Sequence, residues 1–262
     1  MNIANLSKAR LHWREDGNPS GKPVVFANSL GTDLRLWDKI IPLLPQSLRL
    51  IRFDKRGHGL SSCPPAPYSM DDLICDAEDL MDHLGLTGVV FIGLSIGGLI
   101  GQGLATKRPD LIKALVLSNT AAKMGDAAMW QQRIGMVQDG ALSEMAGPIL
   151  ERWFSPPFHR TDELEAWRNM LTRVPQEGYW GCCAAIADTD LTSNLPDITQ
   201  PTLGIAGALD GASSPELVRA TIDRLPNAHF ETIAGVGHLP CVEAPQTYAD
   251  LLIPFFEEIN HV

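Results

Sequence analysis

Val89-Val90-Phe91-Ile92-Gly93-Leu94-Ser95-Ile96-Gly97-Gly98 decides how this chain folds. A short apolar run, Val89 to Ile92, passes through a glycine-rich turn into a segment that reads as helix from near Ile96 to about Arg108. Within it, Gly93-Leu94-Ser95-Ile96-Gly97 fits the pattern Gly-x-Ser-x-Gly. A serine on so sharp a turn takes strained backbone angles that push its hydroxyl outward. Its neighbours must be small, because strand and helix approach closely there. Gly93, Gly97 and Gly98 meet that demand.

On either side, strand and helix signals alternate. Pro23 to Ala27 and Leu48 to Phe53 read as buried parallel strands ending in glycine-bearing loops. From Ser69 to Leu84, the residues Leu73, Ala77, Leu80, Met81 and Leu84 share one helical face, and Gly85 stops the helix. Strands follow at Ala114 to Leu117, Pro201 to Ala206 and Phe230 to Ile233, with helices at Pro215 to Leu225 and Pro245 to Ile259. This alternation predicts an α/β class with a mostly parallel sheet and helices on both faces. Between Ala121 and Leu195 the alternation gives way to helical spacing (Ile134, Val137; Leu150, Trp153, Phe154; Leu164, Trp167, Leu171) broken by Pro and Gly. The expected organisation is a core of residues 1–120 and 196–262, with a helical cap of residues 121–195 inserted after the sixth strand. Four of the six tryptophans fall in the cap, and most are expected to fasten it to the core.

The strand, turn and helix around Ser95 resemble the nucleophile elbow of the α/β-hydrolase fold. That resemblance implies a chain order of serine, then acid, then histidine, the last two on loops after later strands. A serine hydroxyl needs a base to take its proton and a carboxylate to hold the base in the right tautomer. Asp210 follows the strand ending at Ala206, and His238 follows the last strand, so Ser95, Asp210 and His238 form the expected triad. Asp188, Asp190 and Asp197 precede the strand that should carry the acid. The other six histidines lack the position of the base, and His58, in Asp54 to Ser61, is expected to be structural. Two backbone N–H groups should hold the oxyanion, from Ile96 after the nucleophile and from Leu30 in Asn28-Ser29-Leu30-Gly31 after the third strand.

Composition narrows the partners. With 21 Lys and Arg against 31 Asp and Glu the net charge is −10, which disfavours nucleic acid. No stretch is apolar enough to span a bilayer, and the first residues carry no apolar leader, so a cytoplasmic location is expected. The cysteines (Cys63, Cys75, Cys182, Cys183, Cys241) lack zinc-type spacing and read as buried thiols, with Cys241 three residues past His238.

Over nearly its whole length the chain resembles the 3-oxoadipate enol-lactonases. The resemblance is carried by Phe26-Ala27-Asn28-Ser29-Leu30-Gly31-Thr32-Asp33, by the Ser95 elbow, by Arg152-Trp153-Phe154-Ser155-Pro156 and by Gly178-Tyr179-Trp180-Gly181-Cys182-Cys183-Ala184-Ala185. It implies hydrolysis of a small enol-lactone bearing a carboxylate, through an acyl-enzyme and without metal or organic cofactor. The carboxylate calls for a cation, for which Arg133 is the candidate, with Trp130 and Trp153 as pocket walls. A general carboxylesterase, a haloperoxidase-like perhydrolase and a non-catalytic ligand receptor on the same fold are the alternatives.

Overall fold

The structure, a computed structural model, describes residues 1–140 and 142–262. Eight strands form one sheet: β1 (Asn2–Asn5), β2 (Arg10–Gly17), β3 (Pro23–Ala27), β4 (Arg49–Phe53), β5 (Val89–Leu94), β6 (Ile112–Ser118), β7 (Thr202–Gly207) and β8 (Ala228–Ile233). Their spatial order is β1-β2-β4-β3-β5-β6-β7-β8. β1, β2 and β4 pair antiparallel, and every pair from β4 across to β8 is parallel.

The helices are α1 (Met70–His83), α2 (Ile96–Lys107), α3 (Ala127–Asp139), α4 (Leu142–Trp153), α5 (Glu163–Thr172), α6 (Gln176–Ala187), α7 (Pro215–Ile222), the short α8 (Pro240–Glu243) and α9 (Pro245–Glu258). α1 begins at a capping box in which the Ser69 hydroxyl accepts from Asp72 N–H and the Asp72 carboxylate accepts from Ser69 N–H. Among the described residues, the α-helices α3 to α6 lie between β6 and β7.

β5 shows why the central strands read as continuous apolar runs. All six of its residues are buried, because the strand has neighbours on both edges and is covered on both faces. β8, at the sheet edge, is half exposed and alternates instead.

The strand order also locates the site. From β3 the chain crosses to β4 on one side, then returns through α1 to β5 on the other. With right-handed crossovers, these opposite moves put the 28–48 connection and α1 on opposite faces, and leave a crevice at the carboxyl ends of β3 and β5. The loop after β3 and the Ser95 turn after β5 both open there.

Candidate active site

Ser95 stands between β5 and α2 with φ 59° and ψ −120°, one of three non-glycine residues at positive φ among the described residues. Such a conformation costs about 1–3 kcal/mol, and it persists because the backbone is held from both sides. Ser95 N–H donates to Ser118 O at 3.0 Å, and Thr120 Oγ1 donates to Ser95 O at 2.7 Å. The glycines are needed on steric grounds. A Cβ at Gly93 would stand 2.2 Å from Gly97 O, and one at Gly97 would stand 2.1 Å from Ala27 O.

Asp210 and His238 meet at the ends of β7 and β8. His238 Nδ1 lies 2.8 Å from Asp210 Oδ2, with both side chains almost wholly buried. The carboxylate takes four further donors: Ala212 N–H, Ser213 N–H, Ser213 Oγ and Asn119 Nδ2, at 2.7 to 3.0 Å. Burial pushes the Asp210 carboxyl up, but His238 and these donors outweigh it and hold the group below its usual range. An ionised Asp210 requires the Nδ1 proton on the imidazole, which leaves Nε2 free to act as base. Among the described residues Nε2 faces Ser29 Oγ at 3.4 Å, and no hydrogen bond joins it to the Ser95 hydroxyl. The two groups share one cavity, and catalytic hydrogen bonds are often long without substrate.

Leu30 lies in a turn, Ser29 to Thr32, closed by Thr32 N–H to Ser29 O at 3.2 Å. Gly31 at φ +81° gives the turn its type II character. Ala27 and Gly93 are paired across β3 and β5, and Leu30 and Ile96 each follow three residues later. Both therefore sit at the same end of adjacent parallel strands, with Ile96 N–H at the first turn of α2, where a helix leaves donors without intrahelical acceptors.

The cavity, about 150 Å³, is lined by Ser95, His238, Ser29 and Leu30 from the strand ends and by Trp130, Arg133, Arg152, Trp153 and Tyr179 from α3, α4 and α6. A larger groove, about 680 Å³, runs past Arg14, Leu60 and Arg173 and contains none of the expected triad. Arg133 lies 5.5 Å from the Trp130 ring and 5.7 Å from the Tyr179 ring. Among the described residues neither Arg133 nor Arg152 has a salt-bridge partner. Burial lowers the Arg152 pKa, and the charge of Arg133 lowers it further. Trp167, by contrast, packs on Phe154 at 5.8 Å and serves the core.

Sequence reasoning missed several supports. Asn119, at φ 49°, comes from the end of β6, and only its place after a buried strand marked it. Glu243 accepts from Gly237 N–H at 2.7 Å and from Ser155 N–H and Oγ, tying the His238 loop to the chain after α4. The end of α4 is stitched to the loops that carry Asp210 and His238: His238 N–H donates to Trp153 O at 2.8 Å, and Arg152 Nε donates to Gly211 O at 2.9 Å. Cys241 turns away from the cavity, buried with its thiol toward Leu36 O, and burial raises its pKa.

A family profile described as alpha/beta hydrolase fold matches residues 22–245. Among curated relatives, 3-oxoadipate enol-lactonase 2 of Acinetobacter baylyi is 35% identical over 91% of this chain and 90% of its own. Among solved structures, the enol-lactonase from Burkholderia xenovorans LB400 superposes with a TM-score of 0.94 at 32% identity, covering 98% of this chain and 100% of that one. A thermophilic esterase from Thermogutta terrifontis gives 0.93 at 26% identity, with 100% of each chain covered. Sheet order, elbow and kinship agree: the chain belongs to the α/β-hydrolase family, with 3-oxoadipate enol-lactonases among its relatives.

Proposed function

We propose that this enzyme opens 3-oxoadipate enol-lactone to 3-oxoadipate, a step of aromatic-compound catabolism, by way of an acyl-enzyme on Ser95. The observation that carries the reading is His238, held by the buried Asp210, lining the same cavity as Ser95 beside two guanidinium groups that have no carboxylate partner among the described residues. Ser95 Oγ attacks the lactone carbonyl while His238 Nε2 takes its proton, and Asp210 stabilises the resulting imidazolium. The oxyanion is held by the N–H groups of Leu30 and Ile96, each worth roughly a hundred- to a thousandfold in rate. The ring C–O bond then breaks and the leaving enolate oxygen, still tethered through the acyl group, takes the proton from His238 Nε2 and becomes an enol. An enolate is a good leaving group, so this proton transfer adds little to the barrier, and it returns His238 to its neutral form. Water attacks the ester, His238 takes a proton from it, Ser95 regains its own, and the enol tautomerises to the ketone.

Arg133, with Arg152 beside it, holds the carboxylate arm, and Trp130 and Trp153 wall the ring. Residues 121–195 thus act as a cap that recognises substrate. In the cytoplasm the cysteines, all free in the structure, stay reduced. Steady-state kinetics on the enol-lactone beside p-nitrophenyl acetate test the reading. A higher catalytic efficiency on the lactone supports it, and a preference for the aryl ester favours the general esterase that the Thermogutta relative suggests.

A further inference from the structure

Two buried ionisable side chains hold the loop that carries Leu30, and the mechanism above leaves both unused. Lys55, 2% exposed, donates through Nζ to Ser29 O at 2.6 Å and to Thr32 O at 3.2 Å. His58, fully buried, accepts from Gly31 N–H through Nε2 at 3.0 Å. Its Nδ1 lies 3.2 Å from Arg56 O, which fixes the proton on Nδ1. Burial, helped by the charge of Lys55, pushes the His58 pKa well below the usual range and keeps Nε2 an acceptor at neutral pH.

In a trans peptide the C=O and N–H of one unit point in opposite directions. Ser29 C=O and Leu30 N–H share a unit, so the ammonium that draws the carbonyl to one side aims the N–H to the other. Leu30 C=O and Gly31 N–H form the next unit, and His58 fixes that one. We propose that Lys55 and His58 are positioning residues for acyl transfer: Lys55 aims the Leu30 N–H at the place where the oxyanion forms, and His58 keeps the following peptide from flipping. A flipped Ser29–Leu30 unit would turn an N–H toward a buried ammonium and take away its nearest acceptor, an arrangement that a low-dielectric interior penalises. The proposal rests on the reading of Ser95 as nucleophile and Leu30 as oxyanion donor.

The packing around the clamp serves it. α6 comes so close to the Lys55 loop that a Cβ at Gly178 would lie 2.1 Å from Gly57 O. Asp54 anchors the next stretch, accepting from Leu34 N–H at 2.7 Å and pairing with His12 Nδ1 at 2.8 Å. The groups that face Lys55 are Asp33 after the turn, Asp54 at the end of β4, Cys182 on α6 and the neutral His58. Burial outweighs the two carboxylates and holds the Lys55 pKa down to about 8.

The test is kcat and KM for p-nitrophenyl acetate in wild type, Lys55→Met, Lys55→Arg and His58→Leu, each normalised to the fraction labelled exhaustively by a fluorophosphonate, with Ser95→Ala, which has no serine to label, compared per total enzyme. Lys55→Met is expected to lower kcat per labelled site about a hundredfold, with KM changed by less than about threefold. His58→Leu lowers it about tenfold. Wild-type kcat falls above pH about 8, and Lys55→Arg, whose charge persists, lacks that limb. A labelled Lys55→Met enzyme with wild-type kcat overturns the proposal, as does a loss of kcat that only tracks the labelled fraction. Should Lys55→Met not fold, a wild-type kcat flat through pH about 8 with wild-type turnover by His58→Leu overturns it equally. Turnover persisting in Ser95→Ala refutes the serine-hydrolase reading itself. Its loss in Ser95→Ala, with Lys55→Met undiminished, refutes only the clamp.

Discussion

The strand ends and the α3 to α6 segment both line the cavity, yet they hold their polar groups in different ways. At the strand ends each group is held by several others: Asp210 has five hydrogen-bonding partners, and the Ser95 backbone is tied at N–H and C=O. In the helical segment Arg133 reaches the cavity flanked by two aromatic rings and, among the described residues, pairs with no carboxylate. The first arrangement fixes orientation, as the proposed proton transfer and oxyanion stabilisation demand. The second leaves positive charge available for a ligand. On the proposed function, chemistry belongs to the strand ends and selection to the helices, and substitutions in the two regions should differ in kind.

The largest effects belong to the strand ends. Ser95→Ala is expected to lower kcat by about 10⁴-fold or more with little change in Tm, since the hydroxyl is removed without leaving a sizeable hole. Asp210→Asn should cost about as much, because an amide donor facing Nδ1 selects the wrong tautomer. A pH–rate profile and kcat at pH 7 check both. If either variant keeps kcat within about tenfold of wild type, the strand ends lose their catalytic assignment.

Substitution in the helical segment should act on binding. Arg133→Met is expected to raise KM for the enol-lactone by about ten- to a hundredfold, the value of a charge-assisted hydrogen bond, with kcat nearly unchanged. Its KM for uncharged p-nitrophenyl acetate should stay level. Equal changes on both substrates would erase the contrast between the regions. Arg152→Met is a sharper case, because that side chain also donates to Gly211 O and should lower both kcat and affinity.

How much of this was legible depended on periodicity. The parallel strands and the main sheet-packing helices were readable because β5 and β7, buried throughout, leave unbroken apolar runs, while α1 keeps one apolar face. The antiparallel β1 and β2 left no such run. Their residues are largely polar, and their register is set by pairs such as Arg49 with Glu15 and Arg52 with Asp16, which no local pattern marks. Ser95, Asp210 and His238 were readable because their loops follow strands in a fixed order. Asn119, Glu243 and Arg152 were not, because each acts across the sheet on a residue far away in sequence.

The smallest predicted effect is on acid stability, and it comes from two buried imidazoles. Burial holds His58 well below its usual pKa and lowers His261 to about 4. Unfolding lets both take up protons at pH 6.5, so their contribution is complete above that pH and is lost as the pH falls, for His261 down to about 4. Urea midpoints should therefore drop between pH 7 and 4. His261→Asn should remove about 2 kcal/mol of that dependence, and an unchanged slope would contradict the assignment.

The division of labour stands or falls on Ser95. Its most direct test is hydrolysis of 3-oxoadipate enol-lactone by wild type and Ser95→Ala at equal concentration. Rapid ring opening by wild type and a loss of about 10⁴-fold in the variant are expected, and ring opening by Ser95→Ala at the wild-type rate would contradict the role of Ser95 as nucleophile.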